Sequence, residues 1–569
     1  MGNIIACGSI TLIMVALLFT IPLYEVVYFQ ALDSKTNQVN FFFNTLAFAI
    51  GVSITSLFYR EIGGNIGKGI LLGNTFFEEE LKDDNSPYSQ TLRQSVSKAS
   101  IIGQQYSHNL TFILDFQNLL VTIVSCTILL SGEKDEFHKT TLYLILFILS
   151  FNILLSTGIS WIVKLIKIKR LTSVYIATQM RLQFIIINVI SIIFIYFIAF
   201  VIFPKEVTLG DGKGTSFFDS KISKGDVIYC IIQGQFFSFM IILVVELFTS
   251  HGHQLTRKIS SMVQQYSQGH AFVTAQSQGN FALVILLGLL GISAYEAFFL
   301  GGFYGLACVC LGYMQSAAVL LSMGLTSAIN NDAYLLAVMN QMEAQIRDRL
   351  YLIRWASENF TPFIQSINIS AGFLGNLVCI GCIVQLSSSQ GNLIYEGTGL
   401  LGFILGVGLI YLIKFFNCKC VRDVSIDMVQ YIYYLIIGFF LHKYYNINYI
   451  KQCLAFMIVT GVLLGKLAIV GFALGMVFIS TIDSLNGLIV GTSLKNAKIY
   501  INHQEASILA EYQIPSTGLN NYVNFCLLFL AIGAKVFSES GYFNKESVAK
   551  GEEATGKFTD WFSTLIGEK

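Results

Sequence analysis

Long apolar runs succeed one another through almost the whole chain, near 4–29, 41–59, 110–131, 141–164, 183–203, 226–249, 279–298, 301–323, 363–385, 397–413, 428–445, 453–494 and 520–537. Most of them reach the roughly 17 to 25 residues that a spanning helix needs. In lipid every backbone N–H and C=O must pair within the protein, which leaves only helices or a closed barrel. The alternating pattern of barrel strands is absent, so the expectation is an all-α polytopic membrane bundle of about 13 spanning helices. That bundle would occupy residues 1–538, with a polar tail over 539–569. The run 453–494 is long enough to hold a break at Gly465–Lys466, and so a fourteenth span.

Composition supports the same class. Hydrophobic residues make up 54% of the chain and charged ones 12%, an imbalance foreign to soluble globular proteins. A net charge of +1 predicts no nucleic-acid partner and leaves the lipid membrane as the expected environment. The eleven cysteines lie scattered in or beside apolar runs without metal-ligand spacing and read as small buried residues. The opening MGNIIACGSITLIMVALLF has no basic leader or cleavage site, so a retained helix is expected rather than a signal peptide. Gly2 suggests myristoylation only weakly, because Ala6 stands where that motif needs Ser or Thr.

Orientation follows from Lys and Arg in alternate connections. The connections 60–109, 164–182, 250–278, 324–362 and 414–427 carry about eighteen, the intervening ones about seven. The basic set is therefore expected to be cytoplasmic, with a cytoplasmic amino terminus and the tail on the far side. Two of these connections, QTLRQSVSKASIIGQQYSHNL and NNDAYLLAVMNQMEAQIRDRLYLIRWASENF, show helical spacing and should extend the spans beyond the bilayer. Only five prolines force kinks, while 48 glycines supply close helix contacts.

The chemistry-bearing stretches come in four blocks. The first is LFYREIGGNIGKGILLGNTFFEEELKDD, Leu57 to Asp84. The second begins with ELFTS at Glu246 and continues through GGFYGLA from Gly301. The third is Asn330 to Leu374, and the fourth is NAKIYI, Asn496 to Ile501, followed by PSTGLNNYVNF. In order and spacing these blocks resemble those of the membrane-integral inorganic pyrophosphatases, pumps that move protons or sodium ions using pyrophosphate. They are similar to that family's L-F-x-R-x-G-G-G-I-x-x-K, E-Y-Y-T-S, G-G-L-Y-G-I-A, A-D-N-A-G-G-I-A-E-M, G-N-T-T-A-A and N-A-K-K-Y-I. The resemblance implies the pyrophosphatase fold without its first three helices, a dimer, Mg2+ as cofactor and pyrophosphate as substrate if the protein is active. It also implies a vacuolar or other endomembrane location.

The departures follow the chemistry. Pyrophosphate must be met by several Mg2+ ions held on carboxylates, by lysines, and by a carboxylate base for the attacking water. The family's D-V-G-A-D falls on Leu71-Leu72-Gly73-Asn74-Thr75, and its D-N-V-G-D-N-V-G-D near Ile102 to His108. In the third block its Asp falls on Asn331, the neighbouring Asn on Asp332, a Glu on Val338, and the two Asp of T-D-A-L-D on Tyr351 and Arg354. G-N-T-T-A-A becomes Ser357-Glu358-Asn359-Phe360-Thr361-Pro362. The Asp before N-A-K is Lys495, the second lysine of that motif is Ile499, and Pro515 replaces another Asp. Remnants of a catalytic site are Asn331, Asp332 and Glu511, with Lys68 and Lys498 as substrate-binding remnants and Asp83 and Asp84 as a metal pair.

An ion path would need ionisable groups inside the bilayer. By resemblance it runs through Arg60, Gln117 in place of a Glu, Glu246, and Cys526 in place of a Lys; Asn280 and Gln365 replace two further charges. Intramembrane acids are Glu25, Asp115, Glu246, Glu296 and Asp483. Plain structural readings stand beside these. Arg60 can be an orienting charge, Gly63 and Gly64 packing residues, and Lys68 and Lys498 ordinary cytoplasmic cations. Glu78-Glu79-Glu80 with Asp83-Asp84 can be a solvated face, and Glu246 and Asp483 paired interhelical acids. His251, His253 and His270 are too irregularly placed for a metal site.

The expected function is a family member degenerate in catalysis, with a structural or regulatory role as a homodimer or a heteromer with other membrane subunits. The alternative is an active pyrophosphate-driven proton or sodium pump with a rearranged site. A third possibility is a passive transporter on the same scaffold.

Overall fold

A computed structural model of the chain describes residues 38–59, 65–80, 111–130, 173–203, 205–208, 221–266, 268–339, 342–386, 397–430, 455–460, 465–501 and 519–539, together with 148, 151, 155 and 463. Arg60, Asp83, Asp84, Glu511, Glu25 and the tail 539–569 beyond Glu539 lie outside the described residues, as do the runs 4–29 and most of 141–164 and 428–445.

The described chain is helical: α1 (Gln38–Tyr59), α2 (Ile66–Glu80), α3 (Thr111–Leu130), α4 (Ser173–Ile202), α5 (Lys224–Thr249), α6 (Gln254–Gln265), α7 (Gln268–Tyr313), α8 (Ala317–Met339), α9 (Ala344–Glu358), α10 (Thr361–Leu386), α11 (Gly397–Gln430), α12 (Lys466–Ile501) and α13 (Leu519–Glu539). Among the described residues, six stretches are long and apolar enough to cross a membrane: 181–201, 224–263, 269–313, 344–385, 397–427 and 467–497. They establish an all-helical membrane architecture; the expected 13 spans are not counted out by them. The strand-free expectation needs one small correction. Glu206–Thr208 (β1) pairs antiparallel with Lys221–Ser223 (β2), Val207 opposite Ile222, in the connection between α4 and α5.

Sequence decides where these helices begin and turn. Ser223 caps α5: its hydroxyl accepts from the Asp226 N–H at 3.2 Å, and the Asp226 carboxylate accepts from the Ser223 N–H at 2.9 Å. The break anticipated at Gly465–Lys466 is present, because Gly465 takes φ 79° and α12 starts at the next residue. The connection 324–362 is helical as expected, but in pieces. α9 stops at Glu358, and α10 starts at Thr361 with Pro362 in its first turn, where a missing N–H costs nothing.

The GGFYGLA block is a reversal. Gly301 and Gly302 leave helical geometry inside α7, with Gly302 at φ 56°, ψ −141°. The Ser293 and Tyr313 hydroxyls then meet at 3.3 Å, whereas twenty residues of continuous helix would separate them by about 30 Å. A Cβ on Gly305 would stand 2.3 Å from the Ala297 carbonyl oxygen, so the second arm fits against the first only without a side chain. The runs 279–298 and 301–323 are therefore separate antiparallel elements.

Glycine sets the closest packing elsewhere too. Between α11 and α12 the contact is reciprocal: a Cβ on Gly402 would lie 2.0 Å from the Ala468 oxygen, and one on Gly406 2.1 Å from the Phe472 oxygen. From the other side, Gly471 and Gly475 would strike the oxygens of Gly399 and Phe403 at 2.1 and 2.2 Å. With little hydrophobic drive between helices in lipid, such backbone approach carries the association. One contiguous core joins α1, α3, α5, α7, α10, α12 and α13, and a smaller cluster of Ile259, Ala271, Ala275, Val490, Leu494 and Ala497 seats α6 on α12. Gly406→Val should lower the thermal unfolding midpoint of detergent-solubilised protein, at a cost of about 1–3 kcal/mol from overpacking. Gly408→Ala, whose Cβ would meet nothing within 4 Å, should leave it unchanged or slightly raised.

Candidate functional site

The C-terminal end of α5, the turn after it, the junction of α9 with α10 and the last part of α12 converge on one end of the bundle. Asn496 donates from Nδ2 to the Thr249 carbonyl at 2.6 Å, and Ser260 Oγ donates to the Ala497 carbonyl at 3.2 Å. The turn 250–253 is held by the Ser250 N–H on the Glu246 carbonyl and by Ser250 Oγ accepting from the Gly252 N–H. It directs His251 into the protein, where the ring is buried against Trp355 with centroids 4.2 Å apart. His251 Nε2 lies 3.0 Å from the Trp355 carbonyl oxygen, an atom that only accepts, so Nε2 carries the hydrogen. The Asn359 amide is 3.3 Å from the same nitrogen.

At the centre of this cluster Lys495 Nζ meets Glu358 Oε2 at 2.9 Å. The glutamate side chain is 3% exposed and the lysine 35%, so the acid is enclosed and the cation reaches it from the rim. Asn331 and Asp332 are buried on α8, which lies along α9 and α10. Beside them the Arg354 guanidinium sits 5.0 Å over the Tyr334 ring, and Tyr351 packs on that ring at 5.8 Å.

The remaining expected residues are dispersed. Lys68 is buried on α2, which runs along α11 and is held there by Asn65 donating to Asn417 Oδ1 at 3.3 Å. Lys498 is on α12, one turn after Lys495; its side chain is outside the description. The same holds for Gln117 on α3 and for Glu78, Glu79 and Glu80 on α2. Cys526 is buried on α13. Its neighbours on that helix knit α13 to α1 and α3: Asn521 donates to Ser56 Oγ at 3.2 Å and to the Asp115 carboxylate, and Asn524 donates to Thr122 Oγ1 at 3.0 Å. Glu246 belongs to another contact, an ion pair with Arg181 of α4. Asp483 pairs with Lys414 of α11 at 2.9 Å. The expectation that the cysteines are buried is corrected at Cys418, which is exposed.

Fold and site together define a polytopic helical membrane protein that gathers histidine, carboxamides and a buried ion pair at one end of its bundle. The chain belongs to the inorganic H+ pyrophosphatase family, whose model matches residues 2–436. The match takes in the amino-terminal run ahead of Arg60 and stops before NAKIYI, so the fourth block rests on its residue pattern alone.

Against the family's patterns the departures become spatial. The two positions where G-N-T-T and the Asp before N-A-K have become Glu358 and Lys495 are in direct contact. The positions of the T-D-A-L-D carboxylates, Tyr351 and Arg354, pack with Tyr334, which in the same register stands where D-N-A-G-G has its first glycine. Mg2+ requires several oxygen donors with net negative charge. The described donors do not fit it: the Glu358 carboxylate is already neutralised by Lys495, and no group of three or more His, Cys, Asp or Glu side chains able to hold a metal ion occurs among the described residues. Sequence reasoning missed His251, Trp355, Arg181 and Lys414 as partners. The exchange of Asn for Glu358 and of Asp for Lys495 was the one signal that could have found the central pair.

Removing one member of an enclosed ion pair strands the other. Lys495→Met should destabilise the protein by about 3 kcal/mol. The double variant Lys495→Met/Glu358→Gln should recover most of that loss in a double-mutant cycle read by thermal unfolding.

Proposed function

We propose that this chain is a catalytically degenerate membrane pyrophosphatase whose role is structural or regulatory within a membrane assembly. The observation that carries the reading is the Lys495–Glu358 pair: a lysine ammonium occupies the neighbourhood where the family's pattern offers carboxylate to metal. An internal cation there repels Mg2+ and engages the enclosed Glu358 carboxylate, so a metal–diphosphate complex would have to break the pair before docking on that group. Tyr334, Tyr351 and Arg354 add bulk and positive charge on the adjoining face. Asn331, Asp332, Lys68, Lys498, Glu511, Asp83 and Asp84 are on this reading remnants of the site. Arg60, Gln117, Glu246 and Cys526 are remnants of an ion path, of which Glu246 now serves to fix α5 to α4.

The assembly is proposed to be a homodimer or a heteromer with other membrane subunits, in a vacuolar or other endomembrane with a cytoplasmic amino terminus. Residues 1–538 form the bundle and 539–569 a polar tail. Purified protein reconstituted in liposomes should release no phosphate from pyrophosphate across a range of Mg2+ concentrations and should drive no proton or sodium uptake. Mg2+-dependent release coupled to uptake would instead establish the active pump with a rearranged site.

A further inference from the structure

At the opposite end of α5 stands an acid that none of the preceding chemistry uses. Glu296 lies on the first arm of α7, five residues before the Gly301–Gly302 reversal. Its Oε2 accepts from Gln233 Nε2 at 2.7 Å and from the Tyr229 hydroxyl at 3.3 Å, both on α5. Both donors are neutral. Three other acids, Glu246, Asp483 and Glu358, each meet an Arg or Lys. Glu296 meets none among the described residues, and its second oxygen, Oε1, accepts no hydrogen bond.

A second observation points the same way. Gln233 is 5% exposed, and its Oε1 is buried without a partner although its amide nitrogen is engaged. A buried carbonyl-type oxygen left bare costs about 1–3 kcal/mol unless something fills its place. The bare oxygen belongs to the same amide whose nitrogen grips the Glu296 carboxylate. The Ser293 carbonyl is 3.5 Å from that nitrogen. The Glu296 carboxylate, the Gln233 amide and the Tyr229 phenol thus meet in one group, and Tyr229, 51% exposed, leaves it open to the outside of the bundle.

We propose that Glu296, Gln233 and Tyr229 form a binding site for one monovalent cationic group. An all-oxygen set suits a hard cation, and a single carboxylate balances one positive charge, whereas a divalent ion would leave a net charge in a low-dielectric setting. The group can come from water as an alkali ion, or from the membrane as the ammonium of an ethanolamine lipid headgroup. The site is about 20 Å from Glu246 along α5, from thirteen residues at 1.5 Å each, and so is independent of the degenerate centre.

The test is thermal unfolding of the full chain in detergent, with choline chloride exchanged for NaCl or KCl at constant ionic strength. A parallel arm uses nanodiscs of phosphatidylcholine with and without phosphatidylethanolamine. The wild type should show a midpoint that rises with alkali ion, identifying the aqueous source, or with phosphatidylethanolamine, identifying the lipid source. Glu296→Gln should abolish that rise, and the milder Tyr229→Phe should weaken it, moving the half-maximal concentration several-fold upward. A wild-type midpoint indifferent to all three overturns the proposal. So does a rise that survives unchanged in Glu296→Gln. Should Glu296→Gln fail to fold, an undiminished response in Tyr229→Phe and Gln233→Met overturns it equally. Phosphate release plays no part in the readout, so this outcome and that of the function proposed above are separable.

Discussion

A charge enclosed between helices cannot borrow its neutralisation from water, and the arrangement of this bundle follows in large part from where three of its carboxylates find their counter-charges. Glu246, Asp483 and Glu358 all do so on a neighbouring helix, from Arg181, Lys414 and Lys495. In each pair the acid is the more enclosed partner and the cation the more exposed one. The asymmetry is chemical: Lys and Arg can bury an aliphatic stem while the head stays near the rim, and Asp and Glu have no such reach. Each pair also fixes which helices are adjacent. α5 is tied to α4, α11 to α12, and α12 to the end of α9.

Close packing supplies what the ion pairs cannot. The α11–α12 contact is built on Gly402, Gly406, Gly471 and Gly475, and the Lys414–Asp483 pair lies further along the same two helices, so a polar tie and a glycine seam reinforce one alignment. On the other flank α1, α3 and α13 are joined by carboxamides and hydroxyls around Asp115. In lipid such contacts are modest singly, about 0.6 kcal/mol on average, and act by specifying register rather than by bulk stabilisation.

Much of this was legible in the sequence. The apolar runs gave the helical membrane class and the length of 453–494 a break at Gly465–Lys466, whereas the reversal at Gly301–Gly302 was not read from its glycines, although glycine readily takes the positive φ found at Gly302 and Gly465. The sequence blocks pointed to the family that the model match over 2–436 shows. Pairing was less legible. Glu246 and Asp483 could be read as interhelical acids, yet nothing in spacing identifies Arg181, 65 residues upstream, or Lys414 as the partner, because those contacts depend on how helices rotate against each other. His251 was passed over since its two histidine neighbours share no periodicity with it; the turn at 250–253, not the helix, aims its ring at Trp355.

On the proposed reading, the exchange at 358 and 495 changes the character of the centre without collapsing it. Glu358 is almost wholly enclosed, so losing the Lys495 ammonium 2.9 Å from its Oε2 would cost several kcal/mol. Lys495 keeps about a third of its side chain exposed and could be solvated at the rim without Glu358. The dependence therefore runs one way: the lysine permits the glutamate, and the glutamate then holds the lysine inward. Once both are present, reverting 495 alone is unfavourable, because a lone aspartate there would place two carboxylates face to face. The pair is a self-consistent electrostatic solution, and on that reading the centre is a stable state of this fold rather than a site missing one component.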